Sequence, residues 1–398
     1  MFELVQNNPL LISINLLMLI VMWCVVQPAI QYTEGVLSPA RLYFILFMWF
    51  LFDLFAFWGS DWFHLYVGYQ DIMNGTPTVE DVYTWIAGKL APDNYYLFRV
   101  IIWGSAQLLL WDTFKRLSIP SHLILALFVS IWMIWFSFGR FSLALALVFW
   151  GLTIYHNSNR LSYMSKILGI CAIAVSFYFH KSAIFLIVVS LLTILTSKIN
   201  KMTFVSSIIV FPILTYFLNA GFIDTFLFMM TDRSEDLDNY IVKAQQYMEA
   251  DKSSTGIGPL IGLLLEKIPY YLILVQGIIA VFKADDTISN TDYEEYDTNE
   301  TYDDNQYPPV PDDIKMFVRV LFFILLLSSC FLFSNSVNTQ VIYDRFIKFS
   351  IVPAAIVLAY LFDTNKYFRH AWWTYCIALS GTFYQMIYML YCSITNSR

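Results

Sequence analysis

Residues 315–334 read KMFVRVLFFILLLSSCFLFS, and this stretch decides the class of fold. After Arg319 it continues for fifteen residues without a charged side chain. A helix of this length at about 1.5 Å per residue spans roughly the 30 Å hydrocarbon core of a bilayer. An apolar run of this kind is typical of a membrane-spanning helix.

The composition of the whole chain agrees with this stretch. Of 398 residues, 58% are hydrophobic and 13% are charged, whereas soluble domains carry roughly 25% charged residues. A soluble enzyme, a nucleic-acid-binding protein and a disordered protein are therefore excluded. The apolar runs predict an all-α polytopic integral membrane protein, with about twelve spans in one transmembrane domain over residues 1–398. The predicted spans lie near 9–32, 40–58, 95–114, 120–138, 141–156, 164–179, 182–198, 202–222, 258–282, 315–334, 346–363 and 371–391.

An acidic segment, residues 284–313, directly precedes the opening stretch. It holds 11 acids and no base, so the rest of the chain carries 19 acids and 23 bases despite the net charge of −7. The segment lacks apolar periodicity and contains Tyr-Pro-Pro at 307–309. These features predict a disordered cytoplasmic loop.

Basic residues in alternate short loops predict the orientation of the spans. By the positive-inside rule, the face that holds these loops is cytoplasmic. The opposite, outer face then receives both chain ends and the long loops 59–94 and 223–257, and apolar residues at helical spacing from Leu237 to Met248 predict an amphipathic helix in the second loop. The basic residues of the cytoplasmic face are Arg41, Lys115, Arg116, Arg160, Lys166, Lys198, Lys201, Lys283, Lys315, Lys366 and Arg369.

Cations also occur at the outer face, where the positive-inside rule does not expect them. Arg99, Arg140 and Arg345 lie at the outer ends of three predicted spans, and Lys181 lies at the end of another. Each could anchor its helix among lipid headgroups. Alternatively they bind one diphosphate together, because a planar guanidinium holds two phosphate oxygens at once. Arg233, in loop 223–257, is a further candidate for substrate binding.

His180 is the candidate general base at the outer face. Its ordinary pKa lies near neutrality, which suits the removal of a proton from a hydroxyl. The alternative is a packing residue whose ring is held by a backbone group. Two carboxylates compete for the role: Asp61 follows the second span, and Glu266 lies inside the ninth beside Lys267. The sequence has no metal-ligand spacing and no glycine-rich phosphate loop, so neither a metal nor a cofactor is expected.

Four short motifs resemble the EpsG family of polysaccharide polymerases, which is related in function to the Wzy-type O-antigen polymerases. The motifs occur in family order over roughly residues 40–365. They are Gly59-Ser-Asp61 with Tyr66 and Tyr69 downstream, Phe138-Gly-Arg-Phe-Ser-Leu-Ala144, Phe179-His-Lys-Ser-Ala183 and Tyr343-Asp-Arg345-Phe346.

The resemblance implies a GT-C-like polymerase in the bacterial inner membrane, with both termini and the two long outer loops in the periplasm. Such enzymes move a growing glycan from its undecaprenyl diphosphate onto the next lipid-linked repeat, and a chain-length regulator is a possible protein partner. No nucleic acid is expected. The alternatives are a flippase or another transporter of lipid-linked oligosaccharides, and a membrane acyltransferase. The predicted catalytic residues are His180, Arg140 and Arg345. The predicted substrate-binding residues are Asp61, Arg99, Lys181, Arg233, Glu266 and Tyr343.

Overall fold

The part of the chain that the structure describes is mostly helical and contains no strand. This computed structural model describes residues 17–26, 39–55, 60–76, 81–133, 136, 141–157, 163–196, 206, 207, 210, 213, 257–291, 309–332, 343, 346–364 and 370–395. The helices are α1 Leu17–Val26, α2 Pro39–Phe55, α3 Ser60–Met73, α4 Asp81–Trp85, α5 Tyr95–Arg99, α6 Ser105–Lys115, α7 Ser121–Ile131, α8 Ser142–Asn157, α9 Tyr163–Phe179, α10 Ala183–Leu195, α11 Ile257–Thr291, α12 Asp312–Leu332, α13 Ile351–Asp363 and α14 Ala371–Thr395.

The helix positions agree with most of the predicted spans, but the predicted count of twelve is not confirmed. Among the described residues, Leu265–Ala284 in α11 is the one helical stretch with the length and apolar composition to cross a membrane. Other helices are apolar but only 10–17 residues long, including Ser121–Ile131 and Ala183–Leu195. The described residues form helices and no strands, which is consistent with a helical membrane protein. Most of the predicted span 202–222 lies outside the described residues.

The predicted outer loop 59–94 contains helices that its sequence pattern does not indicate. They are α3, α4 and a π-helical turn, Ile86–Leu90, that continues α4. Helix α3 ends at a turn in which Gly75 has a φ of +79°, and the N–H of Thr76 donates to the carbonyl of Asp71 at 2.8 Å. Glycine adopts this left-handed conformation without strain, which explains why the helix stops here.

The other two predicted loops are only partly described. Helix α11 continues to Thr291 and α12 begins at Asp312, so helical structure extends into both sides of the predicted acidic loop. Residues 292–308 and the predicted amphipathic helix of loop 223–257 lie outside the described residues.

The centre of the bundle is formed by helices that are apolar on every side. Every residue of α13 from Ile351 to Phe362 is buried, and so is every residue of α7 from Leu123 to Ile131. Helix α9 differs, because Tyr163, Met164 and Tyr178 are exposed. A helix without a polar face is expected in the core of a large protein or within a membrane.

Several contacts bring helix ends together at one end of the bundle, which we call the basic end. The backbone N–H and the hydroxyl of Ser118 donate to the carboxylate of Asp313 at 2.7 and 2.6 Å. The amide of Asn157 donates to the carbonyl of Arg116 at 3.0 Å. The α6–α7 connection, the end of α8 and the start of α12 therefore lie together. These are three of the connections that the basic residues of the sequence assign to one face.

Helices α8 and α9 approach each other most closely at a pair of glycines. A Cβ built at Gly151 would lie 2.6 Å from the backbone oxygen of Gly169, and a Cβ at Gly169 would lie 2.6 Å from the oxygen of Gly151. Small residues of this kind allow two helix backbones to pack directly against each other. The contact fixes α9, which leads to His180.

Adding one methyl group at Gly151 is expected to destabilise the protein. In Gly151→Ala the backbones of α8 and α9 must separate, and such overpacking typically costs about 1–3 kcal/mol. We expect a lower midpoint of thermal unfolding for the purified protein in detergent. Gly88→Ala is the matched control, because nothing lies within 4 Å of the Cβ position there. Equal midpoints for the two variants would contradict the close contact.

Candidate active site

Four phenylalanines from distant parts of the chain form one cluster, which we call the Phe cluster: Phe141, Phe185, Phe346 and Phe349. The rings of Phe185 and Phe346 stack with centroids 4.1 Å apart. Phe349 lies 5.9 Å from both of these rings, and Phe141 lies 5.6 Å from Phe349. Aromatic pairs at these distances add favourable energy beyond the burial of their surface.

The Phe cluster brings together two of the four motifs found in the sequence and the first turn of the helix that follows a third. Phe141 directly follows Arg140, Phe346 directly follows Arg345, and Phe185 lies in the first turn of α10, which follows His180. Arg140 and Arg345 themselves lie outside the described residues, and so does Arg233. The chain positions next to both arginines therefore meet at the start of α10.

His180 begins the turn that leads into α10. Its carbonyl accepts the N–H of Ala183 at 2.9 Å, and its ring Nδ1 accepts the backbone N–H of Ser182 at 3.2 Å. The Ser182 hydroxyl also contacts Nδ1. Because a backbone N–H can only donate, Nδ1 is the unprotonated nitrogen and the neutral ring carries its proton on Nε2. The hydrogen bond between Ser182 and His180 is local, because only one residue separates them in the sequence. That residue, Lys181, is partly buried.

Tyr343 lies at the junction of α11 and α12, in a group of polar side chains. It is 3% exposed, and the ammonium of Lys267 lies 4.7 Å from the centroid of its ring. The hydroxyl of Tyr271 lies 3.3 Å from that of Tyr343 and 2.5 Å from that of Ser329. A sequence motif marks Tyr343, whereas no motif marks Lys267, which is only the neighbour of Glu266. The signal that could have identified Lys267 is a basic residue inside an apolar span.

Glu266 lies on a different side of α11 from Lys267, because successive residues of a helix project about 100° apart. It is partly buried and interacts electrostatically with Tyr270, whose ring stacks on Trp132 with centroids 6.0 Å apart. Pro269 follows within the helix and has no N–H to donate to the carbonyl of Leu265. One backbone hydrogen bond of α11 is therefore missing close to its charged residues.

Arg99 lies in a separate buried group. It is 1% exposed, donates from Nη2 to the backbone carbonyl of Asp53, and has its Cζ 5.0 Å from the ring of Trp103. The amide of Gln107 donates to the carboxylate of Asp53. Arg99 is thus enclosed by protein and is not positioned as a lipid-facing anchor. Its predicted part in substrate binding remains a prediction.

An aromatic path links the Arg99 group to the His180 turn. Tyr83 contacts Phe179, the residue before His180, with ring centroids 6.2 Å apart, and it also contacts Phe98 at 6.3 Å. The Tyr69 ring contacts Phe98 at 5.3 Å, and its hydroxyl donates to the carbonyl of Ala91 at 2.7 Å. Burial raises the pKa of Tyr69 above its ordinary value, so the hydroxyl stays protonated and can donate.

The fourth motif, on α3, lies near the buried group of side chains around Arg99. Tyr66 and Tyr69, on α3, both contact the ring of Tyr95, with centroids 5.0 and 5.4 Å apart. Asp61 lies in the first turn of the same helix, and its side chain is outside the described part of the structure. Within the described part of the chain, no three His, Cys, Asp or Glu side chains are grouped as metal ligands would be.

The chain is similar to a known protein family. No curated protein and no solved structure matches the chain significantly. The model of the EpsG family matches residues 40–397, which is most of the chain and includes all four motifs. The family is associated with polysaccharide polymerisation. The chain therefore belongs to the EpsG family, a family of Wzy-type polysaccharide polymerases.

Proposed function

We propose that this protein polymerises undecaprenyl-diphosphate-linked oligosaccharide repeats at the outer face of the bacterial inner membrane. The observation that carries the proposal is the Phe cluster, because it joins the chain positions next to Arg140 and Arg345 to the helix that follows His180. We expect Arg140, Arg345 and His180 to act together on a lipid diphosphate and the sugar attached to it.

The proposed reaction is a displacement at the anomeric carbon of the donor glycan. The hydroxyl of the acceptor repeat attacks this carbon and forms the new glycosidic bond, while the bond from the carbon to the diphosphate oxygen breaks. A base takes the hydroxyl proton. Arg140 and Arg345 stabilise the negative charge that collects on the leaving undecaprenyl diphosphate. Lys181, Arg99 and Arg233 belong to the proposed substrate-binding residues of the same face.

The geometry of His180 favours a different role from the base that the sequence suggests. A general base needs a lone pair directed at the acceptor hydroxyl, but Nδ1 is engaged by the N–H of Ser182. With Nδ1 as an acceptor, the proton of the neutral ring is on Nε2, which makes that nitrogen a hydrogen-bond donor. We therefore propose that His180 is a donor to the substrate. Glu266 and Asp61 are then the candidate bases.

We further propose that the site faces the periplasm and the basic end faces the cytoplasm. The support is the positive-inside pattern of the sequence, together with the contacts that join three of its basic connections at one end of the bundle. In this orientation the protein is a multi-pass inner-membrane protein with both termini in the periplasm. Its substrates then reach it only after a transporter has moved them outward.

Cells from which the protein has been deleted distinguish a polymerase from a flippase and from an acyltransferase. Cells that lack it are expected to make no polymer and to accumulate single lipid-linked repeats that an added lectin can reach in spheroplasts. A flippase defect would instead hold the repeats in the inner leaflet, where the lectin binds only after permeabilisation. Polymer of normal length that lacks acyl groups would indicate an acyltransferase. Either of these two results would overturn the proposal.

A further inference from the structure

The side chain of Ser182 contacts the ring of His180 and not the helix that it precedes. Ser182 occupies the position directly before Ala183, the first residue of α10. A serine at such a position commonly accepts a hydrogen bond from a backbone N–H of the first turn. The Ser182 side chain makes no such bond, and its hydroxyl contacts Nδ1 of His180. The serine therefore serves the imidazole and leaves the start of the helix uncapped.

The hydroxyl of Ser182 is the donor in this contact. The backbone N–H of the same residue donates to Nδ1 of His180 at 3.2 Å, so Nδ1 carries no proton. A hydroxyl that contacts an unprotonated ring nitrogen can only donate to it. Both donors of Ser182 therefore favour the same neutral tautomer of His180, because the hydrogen bonds at one ring nitrogen decide which nitrogen holds the proton.

The backbone of Ser182 connects this ring to the Phe cluster. The carbonyl of Ser182 accepts the N–H of Phe185 at 3.1 Å. Phe185 stacks on Phe346, the residue that follows Arg345 in the sequence. These backbone contacts do not involve the serine hydroxyl, so a substitution that removes only the hydroxyl leaves them in place. The effect of the hydroxyl on His180 can therefore be tested separately from the turn itself.

We propose that Ser182 is a positioning residue of the polymerase. Its hydroxyl holds the imidazole of His180 in the orientation and in the tautomer in which Nε2 is the hydrogen-bond donor. Ser182 acts through His180, and its role in the reaction rests on the proposed function. The tautomer of His180 can be measured without any activity, so the role of Ser182 and the proposed function can fail separately.

The tautomer is measured by magic-angle-spinning NMR of the full-length protein in liposomes, with isotope-labelled histidine and at a pH at which the ring is neutral. The chain has five histidines, and His180→Gln identifies the signals of His180 by their loss. We expect the unchanged protein to show one tautomer of His180, protonated on Nε2. In Ser182→Ala only the N–H at 3.2 Å remains, and we expect additional signals from the tautomer protonated on Nδ1.

The rate of polymerisation in membranes with equal protein levels is the second measurement. We expect Ser182→Ala to be about 2- to 10-fold slower, the effect of losing one neutral hydrogen bond. Ser182→Thr keeps a hydroxyl and should restore both the single tautomer and the rate. Ser121→Ala is the matched control, because it removes a hydroxyl from the first residue of α7. This control should change neither the tautomer nor the rate.

A mixture of tautomers and a slower rate in Ser182→Ala, both reversed by threonine, would support the proposal. An unchanged tautomer or a normal rate in Ser182→Ala would overturn the role of Ser182 and leave the proposed function intact. If Ser182→Ala unfolds at a lower temperature, Ser182→Cys provides the comparison, because a thiol fills the site but donates only weakly. Normal tautomer and rate in folded Ser182→Cys would also overturn the proposal. Absence of polymer from the unchanged protein, with His180 protonated on Nε2, would overturn the proposed function itself.

Discussion

Replacing His180 with alanine is expected to reduce polymerisation by about 10²–10³-fold, the usual effect of losing one donor to a developing negative charge. The measurement is the rate of polymer formation in membranes with equal protein levels. The substitution also removes the acceptor for the Ser182 N–H, so it changes the start of α10 as well as the chemistry. Two further substitutions separate these effects.

Asparagine and glutamine at position 180 each replace one of the two hydrogen-bonding groups of the imidazole. In His180→Asn the side-chain oxygen can still accept the N–H of Ser182, because asparagine caps turns in this way, but no donor reaches the position of Nε2. In His180→Gln an amide N–H extends toward the position of Nε2. We expect His180→Asn to be as inactive as the alanine variant and His180→Gln to recover part of the rate.

Other outcomes of this series would change the assignment. If neither amide restores activity and the rate of the unchanged protein depends on one ionisation near neutral pH, His180 is the base that the sequence suggested. If His180→Asn polymerises normally while Glu266→Gln does not, His180 only starts the helix and a carboxylate is the base. His370→Gln, at an exposed position before α14, is the control and should be fully active.

Replacing Arg140 or Arg345 with lysine is expected to slow polymerisation by about 10- to 100-fold. Lysine keeps the positive charge but lacks the planar pair of donors that binds two phosphate oxygens. Hydrogen bonds to charged groups contribute about 1.5–3 kcal/mol, which corresponds to this range of rates. The measurement is the chain-length distribution of the polymer at equal protein levels.

The control for these variants is Arg41→Lys, which makes the same chemical change at an exposed position in α2. This variant should produce a normal distribution of chain lengths. Normal distributions from both Arg140→Lys and Arg345→Lys would rule out bidentate binding by these arginines. They would then serve as helix anchors at the membrane surface.

The positions of the apolar helices could be predicted from the sequence because burial in lipid or in the core requires the same residues. The predicted span 141–156 corresponds to the observed helix Ser142–Asn157, and the predicted span 315–334 corresponds to the observed helix Asp312–Leu332. Helix α3 was missed because its apolar residues alternate with Asp61, His64, Gln70 and Asp71, so it has no long apolar run. Its stability depends on packing, including the contacts of Tyr66 and Tyr69, which the sequence does not reveal.

The candidate site could be predicted only where sequence motifs mark it. His180 and Tyr343 belong to motifs, and the Phe cluster joins the segments that contain them. Lys267 was missed because its partner, Tyr343, lies 76 residues away in the sequence. For Arg99 the sequence left a headgroup anchor and a diphosphate ligand open, and it did not reveal the buried surroundings of the side chain. Its contact with Asp53 depends on how α2 packs against α5 and α6.

The decisive measurement is polymerisation by the purified protein alone. The protein is reconstituted in liposomes with one chemically defined undecaprenyl-diphosphate-linked repeat, and the glycans are separated by length after timed incubation. We expect a ladder of lipid-linked products longer than one repeat, with one undecaprenyl diphosphate released for each bond formed, and no ladder from the double variant Arg140→Lys/His180→Ala. Movement of unchanged single repeats across the bilayer without any ladder would contradict the polymerase assignment and favour a transporter.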